Sequence, residues 1–370
     1  MKSLRFSILF TLSLLVGRFA FAGDWTVVPS PNLGTQANGL LGIAAVADND
    51  IWAVGLAFNQ PTSAYRTLVE HWNGVRWSLV RSPNATRGYN FLNGVAAVAA
   101  NDVWAVGMAA VEQNSRTLIE HWNGRFWRIV PSPTVAGESS TLQAVTVISA
   151  NDIWAVGYSK TPNFLFNPLA LHWNGAAWSI VPTPGESRLL AVDAIAPDDI
   201  WATGESEPGE RSLTMHWNGA SWTVVPSPND SGEDNLLFGV AALASHDVWA
   251  VGMAGSLKTL AIHWDGVNWS LVPTPSLVYP LNNGALVGIV ALSSTDIWTA
   301  GQVLDGSPEQ TLIEHWDGTS WSMAASPNPP NSNSRLAAIA VTPSGTLWSV
   351  GTTGVFAQPE KTLILMKRPN

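Results

Sequence analysis

Apolar positions along this 370-residue chain fall in short runs of strand length, and the same set of runs keeps returning. The segment from Asn93 to Pro133, NGVAAVAANDVWAVGMAAVEQNSRTLIEHWNGRFWRIVPSP, holds four of them: GVAAVA, VWAVG, TLIEHW and FWRIVP. Ala-Asn-Asp, a variable stretch and Asn-Gly separate them. Each run is rich in Val, Ile and Trp, types that pack well on a pleated, half-buried surface. Asn-Gly between two apolar runs marks a tight hairpin, because both residues tolerate the positive φ that such a turn demands. One repeat therefore predicts four antiparallel strands, a, b, c and d.

The VWAVG-type strand b recurs around Trp52, Trp104, Trp154, Trp201, Trp249, Trp298 and Trp348, at spacings of 52, 50, 47, 48, 49 and 50 residues. The His-Trp-Asn/Asp-Gly hairpin recurs at His71, His121, His172, His216, His263 and His315, and strand d around Trp77, Trp127, Trp178, Trp222, Trp269 and Trp321. These positions take 19 of the 20 Trp. The twentieth, Trp25, lies in DWTVVPSPN, a strand d with no a, b or c before it. At the other end LAAIAV, TLWSVG and TLILMKR are strands a, b and c with no d behind them. An open array has no use for complementary partial ends, whereas a closed ring does, because the first strand completes the last blade and removes an open edge. The expected fold is all-β: a seven-bladed β-propeller of four-stranded antiparallel blades, with strand 24–31 closing blade 7. Repeats begin near 40, 92, 142, 189, 237, 286 and 336.

Strand d ends in Pro-Ser-Pro or Pro-Thr-Pro, as at Pro131–Pro133 and Pro182–Pro184. Proline cannot donate to a ladder and belongs on an edge. Strand a is built of small residues such as Gly94, Ala96, Ala97 and Ala99, which suit a crowded centre. Strand a should line the channel and strand d face outward. The pattern (Asn/Asp)-Asp-Ile/Val-Trp-Ala-Val-Gly … His-Trp-Asn/Asp-Gly-x-x-Trp-Ser-x-Val-Pro resembles the repeat β-propellers, especially the kelch-like and tectonin-like groups. The double-Gly signature of kelch repeats is missing. The resemblance implies the fold and leaves function open, because such rings carry lectins, scaffolds and enzymes alike.

The first residues read as a secretory signal over 1–22: Lys2 and Arg5, an apolar stretch from Phe6 to Gly17 too short to span a bilayer, and the small-x-small site Ala20-Phe21-Ala22. A domain of residues 23–370 would follow, secreted or periplasmic, with no later membrane span. There is no Cys, which excludes disulfides, thiol catalysis and thiolate metal sites. Formal charge is −9 without a basic run, a poor profile for nucleic-acid binding.

The Trp invite a sugar-binding reading, but all three of a repeat sit near the a–b and c–d turns, where burial as scaffold is expected. The six His invite a metal. Equivalent positions in different blades lie around a circle and cannot converge on one ion. Pairing within each blade is the alternative: Asp50–His71, Asp102–His121, Asp152–His172, Asp199–His216, Asp247–His263 and Asp296–His315. Blade 7 lacks both partners, with Thr346 and Met366 in their places. His246 lies outside the pattern and reads as a solvated turn residue.

The b–c and d–a loops vary from blade to blade and should emerge together at the opposite end, where loops on a rigid scaffold usually carry binding. Candidates there are Tyr65, Arg66, Tyr89, Arg116, Tyr158, Phe164, Arg211 and Tyr279, with Arg87, Phe166, Arg188, Glu205, Glu207 and Glu210 nearby. Tyr and Arg are favoured at interfaces, although any one of them could be an ordinary loop residue. The expected function is a binding or scaffold module for a glycan or an extracytoplasmic protein, monomeric and without cofactor or metal. The alternative is a polysaccharide hydrolase or lyase using carboxylates at the channel mouth. No nucleophile elbow, phosphate loop or His-Glu-x-x-His motif is present.

Overall fold

The structure is a computed structural model that describes residues 24–111, 114–207, 209, 211–230, 234–255, 258–275, 284–303, 308–355 and 357–369. The leader expected over 1–22, Glu210 and Tyr279 fall outside them. The strands form seven separate four-stranded antiparallel sheets. Blade 1 runs through Asn38–Ala47, Asp50–Asn59, Ala64–Trp72 and Trp77–Leu79. Blade 2 runs through Tyr89–Ala99, Asp102–Val111, Asn114–Trp122 and Trp127–Ile129. Blades 3 to 6 repeat the meander from Ser139, Ser187, Asn235 and Gly284. Each strand a contacts the strand a of the next blade, and that of the last contacts that of the first. The chain is a seven-bladed β-propeller.

Closure is made as the split repeat predicts. The strand Thr26–Val27 pairs with Lys361–Lys367, Thr26 opposite Met366 and Val27 opposite Leu365. Val28 N donates to Ile364 O at 2.9 Å, and Thr362 N to Asn32 Oδ1 at 3.1 Å. Blade 7 is thus Ser332–Val341, Leu347–Val355, Lys361–Lys367 and Thr26–Val27.

The core is a set of layers between blades. Trp52, Val54 and Val69 of blade 1 pack against Leu92, Val95, Val103 and Trp127 of blade 2, and the arrangement repeats around the ring. Each strand-b Trp reaches into the following blade. The Trp52 ring lies 4.9 Å from Trp122 and 5.4 Å, edge-on, from Trp127. Trp348 meets Trp72 and Trp77 across the closure at 5.0 and 5.6 Å. Each buried indole removes roughly 150–250 Å² from water, about 4–6 kcal/mol gross. Blade 7 lacks a strand-c Trp, and Lys367 stands in its register position. Its ammonium lies 5.3 Å from the Trp298 ring, so a cation–π contact replaces the indole pair.

The Gly of each VWAVG run has its own cause. Strand a bulges opposite it, for example between Leu142 and Ala144. A Cβ on Gly157 would stand 2.0 Å from the Thr141 carbonyl oxygen, and the other six glycines meet the same obstacle. The bulge turns the strand, and only a residue without Cβ fits beside it.

Candidate functional site

The two ends of the ring differ in chemistry. At the end of the tight turns, every blade from 1 to 6 carries one construction. His Nε2 lies 2.8–2.9 Å from the Asp Oδ1 at the start of strand b, from His71–Asp50 to His315–Asp296. The imidazole lies over the strand-b Trp, tilted in blade 2, where His121 and Trp104 have centroids 4.3 Å apart, and stacked in blade 3, where His172 and Trp154 are 4.5 Å apart. In blades 2, 3, 5 and 6 the Asp oxygen also accepts from that Trp Nε1, at 2.8–3.0 Å. The carboxylate thus sets both the ring tilt and the strand start. Each pair is closed within its own blade, and among the described residues no three His, Asp or Glu converge as a metal site would need.

The indoles of this end are less uniform than the sequence suggests. Those of strands b and d are buried, but Trp72, Trp122, Trp173, Trp217, Trp264 and Trp316 of strand c stay partly exposed. Each lies across the a–b turn and donates its Nε1 to a turn carbonyl, such as Trp122 to Ala100 O at 3.2 Å. They pack against the edge of the core and cover the turn at the same time. His246 is exposed.

At the loop end, aromatic residues gather across blades 1 and 2. Tyr65 lies 5.2 Å from Phe58, 5.5 Å from Phe91 and 6.1 Å from Tyr89. Tyr89 and Phe91 are nearly parallel at 6.2 Å. Tyr89 is 40% exposed, so the platform has a free face. Phe58 and Phe91 are not singled out in the sequence because both sit inside strands. Their register betrays them: Phe58 pairs with Tyr65, and Phe91 follows Tyr89 by two residues on the same strand face.

A second group spans blades 3 and 4. Tyr158 meets Phe166 edge-on at 5.4 Å, the Arg188 guanidinium covers Phe166 at 4.5 Å, and Lys160 sits over the exposed Phe164 at 4.2 Å. Arg188 also pairs with Glu205 and lies 3.7 Å from Glu207. Those two carboxylates are committed to the guanidinium, which bears on the hydrolytic alternative. Arg87, Arg116 and Arg211 are exposed and belong to neither aromatic group. Arg66 turns away from the platform and lines two grooves on the flank of blade 1.

The channel holds a cavity of about 340 Å³ lined by all seven blades. Its carboxylate is Asp193, where other blades place Ala44, Ala96, Thr146, Ala241, Val290 and Ala340. Asp193 accepts from Ala194 N and Ala242 N, each at 2.9 Å, so it ties blade 4 to blade 5. Burial nevertheless raises its pKa to about 6.

Three further carboxyls lie between blades. Glu70, Glu120 and Glu314 sit one residue before the His, where blades 3, 4, 5 and 7 carry Leu171, Met215, Ile262 and Leu365. All three Glu are fully buried, and desolvation pushes each to about 8. Glu120 accepts from Ser82 Oγ of blade 1 at 2.9 Å. Held neutral, these residues act as polar members of an apolar layer.

No protein-family profile matches the chain, and no curated protein matches it in sequence. Solved structures do. A chain described as YCF48 bound to D1 peptide is 14% identical, with a TM-score of 0.58 over 95% of this chain and 99% of that one. A chain of a mitotic checkpoint complex is 10% identical, with a TM-score of 0.58 over 100% and 99%. The SapL1 lectin in complex with alpha methyl fucoside is 14% identical, with a TM-score of 0.50 over 80% and 98%. At these identities the likeness is one of fold. Among the described residues no helix is long and apolar enough to cross a membrane.

Proposed function

We propose that this chain is an exported binding module that recognises a glycan or protein partner through its loop face. The observation that carries the reading is the aromatic platform of Phe58, Tyr65, Tyr89 and Phe91, built across two blades and open on one side. Rigid aromatic residues give contact area at low entropic cost, and Tyr adds a hydrogen-bonding tip. Fold relatives include a peptide-bound chain and a fucoside-bound lectin, so rings of this kind can hold either partner. The N-terminal leader motif supports export to the periplasm or the medium, and the Asp–His pairs are read as scaffold.

A screen of the chain against immobilised glycans and secreted proteins tests the reading. The double substitution Tyr65→Ala and Tyr89→Ala is expected to abolish the strongest signal and leave the unfolding midpoint in place. An unchanged signal in the folded double variant would remove the platform from the site.

A further inference from the structure

Equivalent positions in the seven blades hold mostly the same residue types, and a few blades depart from them. Five blades place Pro29, Pro131, Pro182, Pro226 and Pro273 two residues before the last proline of strand d, and blade 6 places Ala325 there. Blade 1 has Arg81. The two positions after Gly in the c–d turn hold Val75–Arg76, Ala176–Ala177, Ala220–Ser221, Val267–Asn268 and Thr319–Ser320. Blade 2 has Arg125 and Phe126. Nothing in the shared fold calls for these three residues, because other blades manage with proline, alanine and serine.

They meet in one place. A groove of about 580 Å³ beside the outermost strand of blade 1 is lined by Arg66, Arg81, Arg125, Trp122 and Phe126. Phe126 is 52% exposed. Among the described residues the ion pairs made by arginine involve Arg188 and Arg335, so none of the three guanidiniums of the groove is in an ion pair. The Arg66 Nε is buried without a hydrogen-bond partner. Glu120, whose carboxyl bonds Ser82 of the same lining, is held neutral by burial and leaves the positive charge uncancelled. The wider sequence is skewed in the same sense. Seven of the 15 cationic residues beyond Ala22 lie between Arg66 and Arg128, all of them arginine, whereas residues 134–370 carry eight cations against 20 acids.

We propose that this groove binds a segment of an acidic polysaccharide, with Arg66, Arg81 and Arg125 engaging its carboxylate or sulfate groups and Phe126 receiving a sugar ring face. Guanidinium forks bind such anions bidentately. A sugar face suits a solvent-exposed phenyl ring beside the half-open Trp122. An acidic peptide fits less well. A peptide strand would seek backbone pairing, but the outer edge of the lining, Val80 to Asn84, lies beyond the end of strand d at Leu79, and Pro83 has no N–H. The Asn84 carbonyl oxygen of the side chain already accepts from Thr67 N. The site is separate from the aromatic platform and does not depend on it.

The test uses polygalacturonate as the carboxylated probe and dextran sulfate as the sulfated one, with neutral dextran and poly-glutamate as controls. The chain is expected to bind one or both anionic polysaccharides, more weakly as salt rises, and to ignore neutral dextran. The triple substitution Arg81→Pro, Arg125→Ala and Phe126→Ala installs residues that other blades already carry, so the fold should survive. It is expected to weaken binding by about tenfold or more. The Tyr65→Ala, Tyr89→Ala variant should bind these probes as the unaltered chain does, which keeps the failure of either site readable on its own. Lack of binding by the unaltered chain, full binding by the folded triple variant, or equal binding of poly-glutamate would overturn the proposal.

Discussion

The two ends of the ring teach different lessons about repetition. At the turn end, six blades repeat an Asp, a His and three Trp with hydrogen bonds constant to 0.1 Å. At the loop end the blades differ, and among the described residues aromatic rings gather over blades 1–2 and 3–4. Residues repeated in every blade solve a problem every blade shares, namely burying a face against its neighbour. Residues present once are not fixed by that shared problem: Asp193 ties one pair of blades, and the loop aromatics are free to differ.

The sharpest way to break this contrast is at the closure. Deleting residues 24–31 strips blade 7 of its outer strand and takes Trp25 off Trp298, leaving a bare edge along Lys361–Lys367. The deletion is expected to abolish cooperative unfolding, seen by circular dichroism, and to cause aggregation on size exclusion. Next in size, Trp154→Ala at the turn end should cost about 3–5 kcal/mol in denaturant unfolding, whereas Phe164→Ala on the loop end should cost less than about 0.5. A similar cost at both positions would erase the distinction.

The buried carboxyls give a pH signature. Glu70, Glu120 and Glu314 sit near 4.5 when exposed and at about 8 when folded. The unfolded chain releases these protons first, so stability is full below pH 4.5, erodes as pH rises toward 8 and stays reduced above it. Replacing all three with Leu, as blade 3 does at Leu171, should raise the midpoint at pH 9 more than at pH 5. Each site should contribute on the order of a few kcal/mol at the alkaline end. An equal gain at both pH values would show that these groups do not titrate on unfolding. The smallest scaffold effect expected is that of His172→Ala, about 1–2 kcal/mol, since it removes one partly exposed bond to Asp152.

Blade number, strand order and closure were legible in the sequence because each rests on local patterns: period-two apolar runs, Asn-Gly turns and a repeat split between the termini. The Asp–His pairing was legible through its joint loss at Thr346 and Met366. The candidate sites were legible only in part. Tyr65 and Tyr89 stood out by composition, but Phe58 and Phe91 join them through strand register and blade packing, which no local pattern encodes. Arg66 was placed with the loops, yet it lines a groove on the flank of blade 1 together with Arg81 and Arg125 from elsewhere in the chain. The buried Glu residues hid in the repeat itself, one position before a more conspicuous His.

The central claim is that recognition belongs to the residues that break the repeat and stability to those that keep it. It is tested most directly by measuring ligand binding and unfolding midpoint together on two variants. Tyr65→Ala with Tyr89→Ala should lose the ligand at an unchanged midpoint, while His172→Ala with Trp173→Ala should lower the midpoint and bind normally per folded molecule. The opposite pattern, with the ligand lost through the His-Trp pair and kept without the two tyrosines, would contradict the account.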